Sequence, residues 1–138
     1  MSEDCVFCKI AAGDLPCAKV YEDADVIAFL DIGPVVKGHT LVVPKAHHPT
    51  ITETPEELLH KLIAVVKKIA QGLIDGLDAA GINVAQANGK LANQEVPHIH
   101  FHVIPRFAKD GHSFTWNPMK YESPEEMGAY GEKLKNAL

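Results

Sequence analysis

"VPHIHFHVIPR", residues 96–106, places His98, His100 and His102 at every second position, with Ile99, Phe101 and Val103 between them. Alternation with period two predicts a strand, and in a strand it turns all three imidazoles to one face. Residues two apart lie about 6–7 Å from each other along a strand, so such a row can span one phosphate group or share one metal ion. Imidazole titrates near neutrality and can act as nucleophile, proton donor or ligand. Strict alternation over three histidines, closed by Pro105 and Arg106, argues against a merely solvated sheet face.

Working outward, "INVAQAN" (82–88) reads as a further strand, joined to the histidine strand (96–104) by the polar "GKLANQE". Before it, Leu58, Leu59, Leu62, Ile63, Val66, Ile69, Ala70, Leu73 and Leu77 recur at three-and-four spacing, which predicts a long helix burying one face. Thr54 is placed to cap it, with Pro55 at its first position and Glu57 completing a capping box. Lys61, Lys67, Lys68 and Asp75 fall on its solvent face. "AKVYED" (18–23) and "VIAFLD" (26–31) predict a hairpin, and "HTLVVP" (39–44) a third strand after the turn-rich "GPVVKG". "SPEEMGAYGEKLKNAL" (123–138) predicts a short capped helix weakened by Gly128 and Gly131. Clustered strands indicate an α+β fold: a mostly antiparallel five-stranded sheet with one long helix and a C-terminal helix. No repeat or linker divides residues 1–138, expected as a single domain with its core at about 5–106 and a tail at 107–138.

A chain of 138 residues that is 46% hydrophobic is long and apolar enough for a real core. Its formal charge of −5, without a Lys/Arg run, argues against a nucleic-acid polymer as partner but leaves room for a single nucleotide. Acidic residues open the chain where a signal peptide would be basic, and no apolar run approaches membrane-spanning length. The expected location is the cytoplasm, where three cysteines do not suggest a disulfide framework. Cys5 and Cys8 have the spacing that lets both thiolates reach one zinc ion, with His47 or His48 and one triad histidine completing a closed, structural Cys2His2 site. A redox dithiol is the rival reading, and the histidine row could itself hold an ion.

"HIHFHVI" (98–104), with "CVFCKIAAGDLPCAKVYEDADVIAFLDIGPVVKGHTLVVPKAHH" (5–48), resembles the histidine triad family in its bacterial zinc-containing branch, over about residues 5–106. The resemblance implies hydrolysis or transfer at the α-phosphorus of a nucleotide. His100 would attack through Nε2, its Nδ1 proton held by the His98 carbonyl, and form a nucleotidyl-histidine that water cleaves to a nucleoside monophosphate. His102 would bond the phosphoryl oxygens or assist the leaving group, and His39, which by itself reads as a surface strand residue, would pack beside the triad. Asp31 would accept from the ribose hydroxyls. Val6, Phe7, Ile10, Phe29 and Ile32, ordinary core if read alone, would wall the base, and Asn88, Gly89 and Gln94 would surround the phosphate.

The same resemblance implies zinc on Cys5, Cys8, His47 and His98, and a homodimer through the long helix and the sheet edge. The implied substrate is a purine nucleoside phosphoramidate. "HVIPR" favours a dinucleoside polyphosphate hydrolase as the rival, and a nucleotide-binding regulatory or interaction module is the reading outside enzymes. Ala87, Asn93 and Glu95 depart from the family pattern near the phosphate and the leaving group. Glu95 replaces a hydroxyl donor with a group that, ionised, only accepts.

Overall fold

Five strands form one sheet in the computed structural model, which describes residues 4–138. The acidic opening read against a signal peptide therefore lies partly outside the described residues. The strands are β1 (Lys19–Glu22), β2 (Val26–Leu30), β3 (Thr40–Pro44), β4 (Gly81–Ala85) and β5 (Phe101–Arg106). Their order is β1-β2-β3-β5-β4 and every pair is antiparallel. Helices α1 (Val6–Ala11), α2 (Glu56–Leu77) and α3 (Pro124–Ala137) complete an α+β fold, as the clustered strands predict.

Pleating gives the sheet two different faces. Phe29 lies opposite Leu41 and Leu41 opposite His102, a cross-strand row directed to one side. The adjacent row, Ala28, Val42 and Phe101, is directed to the other. On that second side Val26, Ala28, Val42 and Val103 pack against Leu62, Val65, Val66 and Leu73 of α2. On the first side Ile27, Phe29, Leu41 and Val43 pack against Cys5, Phe7 and Cys8. Full burial of each Val, Leu or Phe stabilises the fold by about 1.5–3 kcal/mol, so both faces hold real core.

Several local expectations change. The histidine strand is shorter than its alternation suggests, because the ladder begins at Phe101. Residues 98–100 precede it, with the Ile99 amide tied to the His48 carbonyl at 2.7 Å. The β4 strand likewise ends at Ala85. Thr54 does not cap α2: its hydroxyl donates to the Thr50 carbonyl, closing a 3-10 turn at Ile51–Glu53, and Pro55 occupies the cap position without a side-chain bond. Within α2, Ile63 and Leu77 are half-exposed, whereas Val65 is buried.

Gly38 delivers the chain into β3. Its φ is +103°, and a Cβ there would lie 2.8 Å from Leu77 Cδ1 and 3.1 Å from Pro105 Cγ. Only glycine fits so close to the end of α2 in that conformation. After β5, Arg106 fixes a turn: Nε and Nη2 donate to the Asp110 carboxylate at 2.8 and 3.0 Å, and Nη1 to Asn83 Oδ1 at 2.9 Å. This guanidinium holds the Asp110 carboxyl well below the usual carboxylate range. Helix α3 forms where expected, the Ser123 hydroxyl accepting from the Glu126 amide, but none of its residues is buried. Among the described residues, no helix is long and apolar enough to cross a membrane.

Candidate active site

The three histidines of the row face different partners. The Nδ1–H of His100 donates to the His98 carbonyl at 2.7 Å, which leaves Nε2 as the free lone pair. For His98, Nε2–H donates to the Pro44 carbonyl at 2.8 Å, leaving Nδ1 free among sulfur atoms. The Val35 amide donates to His39 Nδ1 at 3.1 Å, so the proton of neutral His39 sits on Nε2. That Nε2–H reaches His102 Nδ1 at 2.9 Å, which places the His102 proton on its own Nε2. Backbone partners thus assign a tautomer to every ring, directly or through one neighbour.

Burial pushes the pKa values of His39 and His100 down from the ordinary histidine value, and those of His98 and His102 down to about 4. Neutral rings are the form in which these tautomers act: His100 with a nucleophilic nitrogen, His102 with a donor. His39, far from a surface position, is 3% exposed and is held between Val35 and His102, with Asp31 Oδ2 3.6 Å from its Nε2.

A cavity of about 720 Å³ opens over His100, His102 and His39. Phe7 and Phe29 form its buried wall, and Phe7 stands edge-on to His100 with ring centroids 4.9 Å apart. Val6, Ile10 and Ile32 line it nearer solvent, and Ile32 is fully exposed at 102%. Asp31 also lines the cavity, with Oδ1 accepting from the Gly33 amide at 2.9 Å.

Three expected phosphate-loop residues do not reach the cavity wall. Asn88 Oδ1 accepts from the Ile51 amide, and the Asn88 amide pairs with Gln86. The Gly89 amide donates to Gln94 Oε1, while Gln94 Nε2 donates to the Pro49 and Val96 carbonyls. These groups hold the loop to itself and to the 49–51 segment. Asn93 and Glu95, noted in the sequence only as departures, line the cavity instead. Leu15, Leu30, Val35 and Leu41 also contribute to it.

On the far side of His100, Cys5, Cys8, His47 and His98 each offer one donor atom within 4.8 Å of the others. Cys5 caps α1, a helix too short for periodicity to announce, and its Sγ accepts from the Cys8 amide at 3.4 Å. Sγ of Cys5 is 3.3 Å from His98 Nδ1, and Sγ of Cys8 is 3.3 Å from His47 Nδ1 and 3.6 Å from His98 Nδ1. The two Nδ1 atoms are 3.2 Å apart. A tetrahedral zinc with bonds of about 2.0–2.3 Å sets its donors roughly 3.3–3.8 Å apart, so two sulfurs and two nitrogens at these separations fit the ion. His48 stays outside the group, its carbonyl engaged by Ile99. Burial pushes the Cys5 thiol up, so metal binding here would release a proton.

Comparison with known proteins gives a consistent result. The sequence model of the HIT domain matches residues 12–109. An adenosine 5'-monophosphoramidase of Schizosaccharomyces pombe is 41% identical over 135 residues, covering 97% of this chain and 98% of that protein. Among solved structures, a HIT family protein from Bacillus subtilis superposes with a TM-score of 0.92 at 44% identity, over 99% of this chain and 98% of the other. A zinc-bound histidine triad protein from Mycobacterium smegmatis superposes with a TM-score of 0.77 at 43% identity, over 98% of each chain. The protein belongs to the HIT domain family, the histidine triad proteins.

Proposed function

We propose that this protein is a nucleotide hydrolase acting at the α-phosphorus, with a purine nucleoside 5'-phosphoramidate as substrate and a nucleoside monophosphate as product. The observation that carries the reading is His100: its Nδ1–H held on the His98 carbonyl, its Nε2 left free, its ring on the cavity wall. In the first step His100 Nε2 bonds to phosphorus as the P–N bond breaks, and the departing nitrogen takes up one proton from solvent and leaves as the amine. In the second, water attacks phosphorus, releases one proton and frees His100. His102 directs Nε2–H at the phosphoryl group, where a fixed donor offsets the charge that develops in the transition state. Asp31 accepts from the ribose hydroxyls, and Phe7, Phe29 and Ile32 enclose the base.

Zinc on Cys5, Cys8, His47 and His98 would be structural, its charge balancing two buried thiolates and fastening α1 beneath the triad. The ligand His98 then has two duties, because its carbonyl also orients His100. The zinc-bound relative and the donor separations support this assignment. In "HVIPR", the motif whose resemblance favours the dinucleoside polyphosphate alternative, Arg106 binds Asp110 and Asn83 and does not line the cavity. The reading also includes a cytoplasmic location and a homodimer. Ile63, Ile74 and Leu77 form a second, half-exposed apolar stripe on α2, and Val84 is half-exposed on edge strand β4. Sedimentation should find a dimer; a monomer at working concentration would refute that part.

The mechanism is tested by rapid quench during turnover of an adenosine phosphoramidate, followed by mass-mapping. A nucleotidyl adduct on His100 is expected. Its absence while substrate is being consumed would overturn the covalent mechanism.

A further inference from the structure

The charged groups around the cavity are unusual for a site that handles phosphate. None of the chain's 13 Lys and Arg residues lines it. Several are committed elsewhere: Lys19 and Lys45 to Glu22, Lys61 to Asp25, and Arg106 to Asp110. Among the described residues, the charged side chains on the wall are Asp31 and Glu95, two carboxylates.

They occupy different places. Asp31 lies beside His39, with one oxygen turned back to the Gly33 amide. Glu95 follows Asn93, whose left-handed backbone, φ 69°, ends the loop's 3-10 turn. Gln94 between them is buried and spends its side chain on Gly89, Pro49 and Val96. Glu95 is consequently presented on a braced segment, exposed and, among the described residues, without a hydrogen-bonded or ion-paired partner. It lines the same cavity as His100 and His102.

A carboxylate so placed repels a departing group that carries extra phosphates and attracts one that carries an ammonium. Because Glu95 is exposed, salt screens the effect and its size stays modest. We infer that Glu95 is a specificity-determining residue for the leaving group, selecting nucleoside phosphoramidates whose amine portion bears a second, positive charge. This rests on the phosphoramidase reading and goes beyond it by assigning the chemistry of the departing half. The step is unchanged: P–N breaks, the His100–P bond forms, and the departing nitrogen takes up one proton from solvent and leaves as the amine, its distal ammonium beside Glu95.

The test compares kcat/KM for two adenosine 5'-phosphoramidates of equal length, one ending in a methyl group and one in an ammonium, with a diadenosine polyphosphate as the anionic leaving group. The wild-type chain should prefer the ammonium substrate to the methyl one by about fivefold at low salt, with the ratio shrinking as salt rises. In Glu95→Gln the ratio should approach one, and in Glu95→Lys it should invert while the diadenosine substrate gains relative to both. A wild-type ratio near one, or a ratio unchanged by Glu95→Gln, overturns the inference while leaving the phosphoramidase reading intact. Failure to turn over either phosphoramidate would instead remove that reading, and the inference with it.

Discussion

His100 stands between two polar clusters that differ in chemistry. On one side, Cys5, Cys8, His47 and His98 gather two sulfurs and two nitrogens whose donor atoms are spaced for a tetrahedral ion. On the other, Asp31, His39 and His102 also lie within metal-binding reach of one another. There, however, the two nitrogens are 2.9 Å apart and joined by a hydrogen bond, and the Val35 amide holds the remaining nitrogen of His39. The first cluster suits a soft cation, whereas the second passes a fixed tautomer to a donor. Residue type does not distinguish His98 from His102. The nitrogen each ring has already committed does: Pro44 takes Nε2 of the former, and His39 takes Nδ1 of the latter.

The largest separation of the two sides should come from function. His102→Ala removes the donor that the proposed mechanism aims at the phosphoryl group and should lower kcat by about 10²–10³-fold. Bound zinc should remain stoichiometric. Loss of metal in this variant would mean that the clusters are not independent. Removing the other side should reverse the pattern. In Cys8→Ala, or after exhaustive chelation, zinc should disappear entirely and the melting temperature should fall by about 10 °C. Because zinc takes no part in bond making in the proposed mechanism, kcat should fall less than in His102→Ala. Zinc retained when Cys5 and Cys8 are both replaced by Ala would place an ion at the triad.

How much of this comparison could be read in the sequence depends on the kind of signal. Helix α2 was legible because its apolar residues recur over 22 positions, although spacing could not decide that Ile63 and Leu77 would be left half-exposed. The histidine row was legible as an alternation but not as a ladder. Alternation reports which way side chains point, and residues 98–100 alternate without belonging to β5. The CxxC pair announced a metal site without revealing α1, since six residues are too few for a helical period and cysteine is not a usual cap. The loop was ambiguous for a related reason. Asn88, Gly89 and Gln94 have the composition of a phosphate cradle, and a loop that satisfies its own amides has it too. Spacing left His47 and His48 equivalent; packing brings only His47 to the sulfurs.

The smallest expected effect is also the sharpest test of the proton-bearing side. His39 and His102 have folded-state pKa values below the ordinary histidine value, His102 near 4, with burial the leading cause for both. The unfolded chain, with ordinary histidines near 6.5, binds more protons between that pH and about 4. Stability contributed by the neutral pair is therefore fully present above about pH 6.5 and declines as pH falls toward 4. Replacing His102 by Gln removes one such group, so unfolding free energy measured by denaturant between pH 6.5 and 4.5 should depend less steeply on pH. The difference can reach one proton, about 1.4 kcal/mol per pH unit. Asp31, facing His39 and His102, opposes the burial effect on both rings, so Asp31→Asn should steepen the same slope. Equal slopes in the wild type and His102→Gln would show that His102 is already charged in the folded protein. In that case the bond between His39 Nε2 and His102 Nδ1 could not have the direction assigned to it, and the distinction between the two clusters would lose its basis.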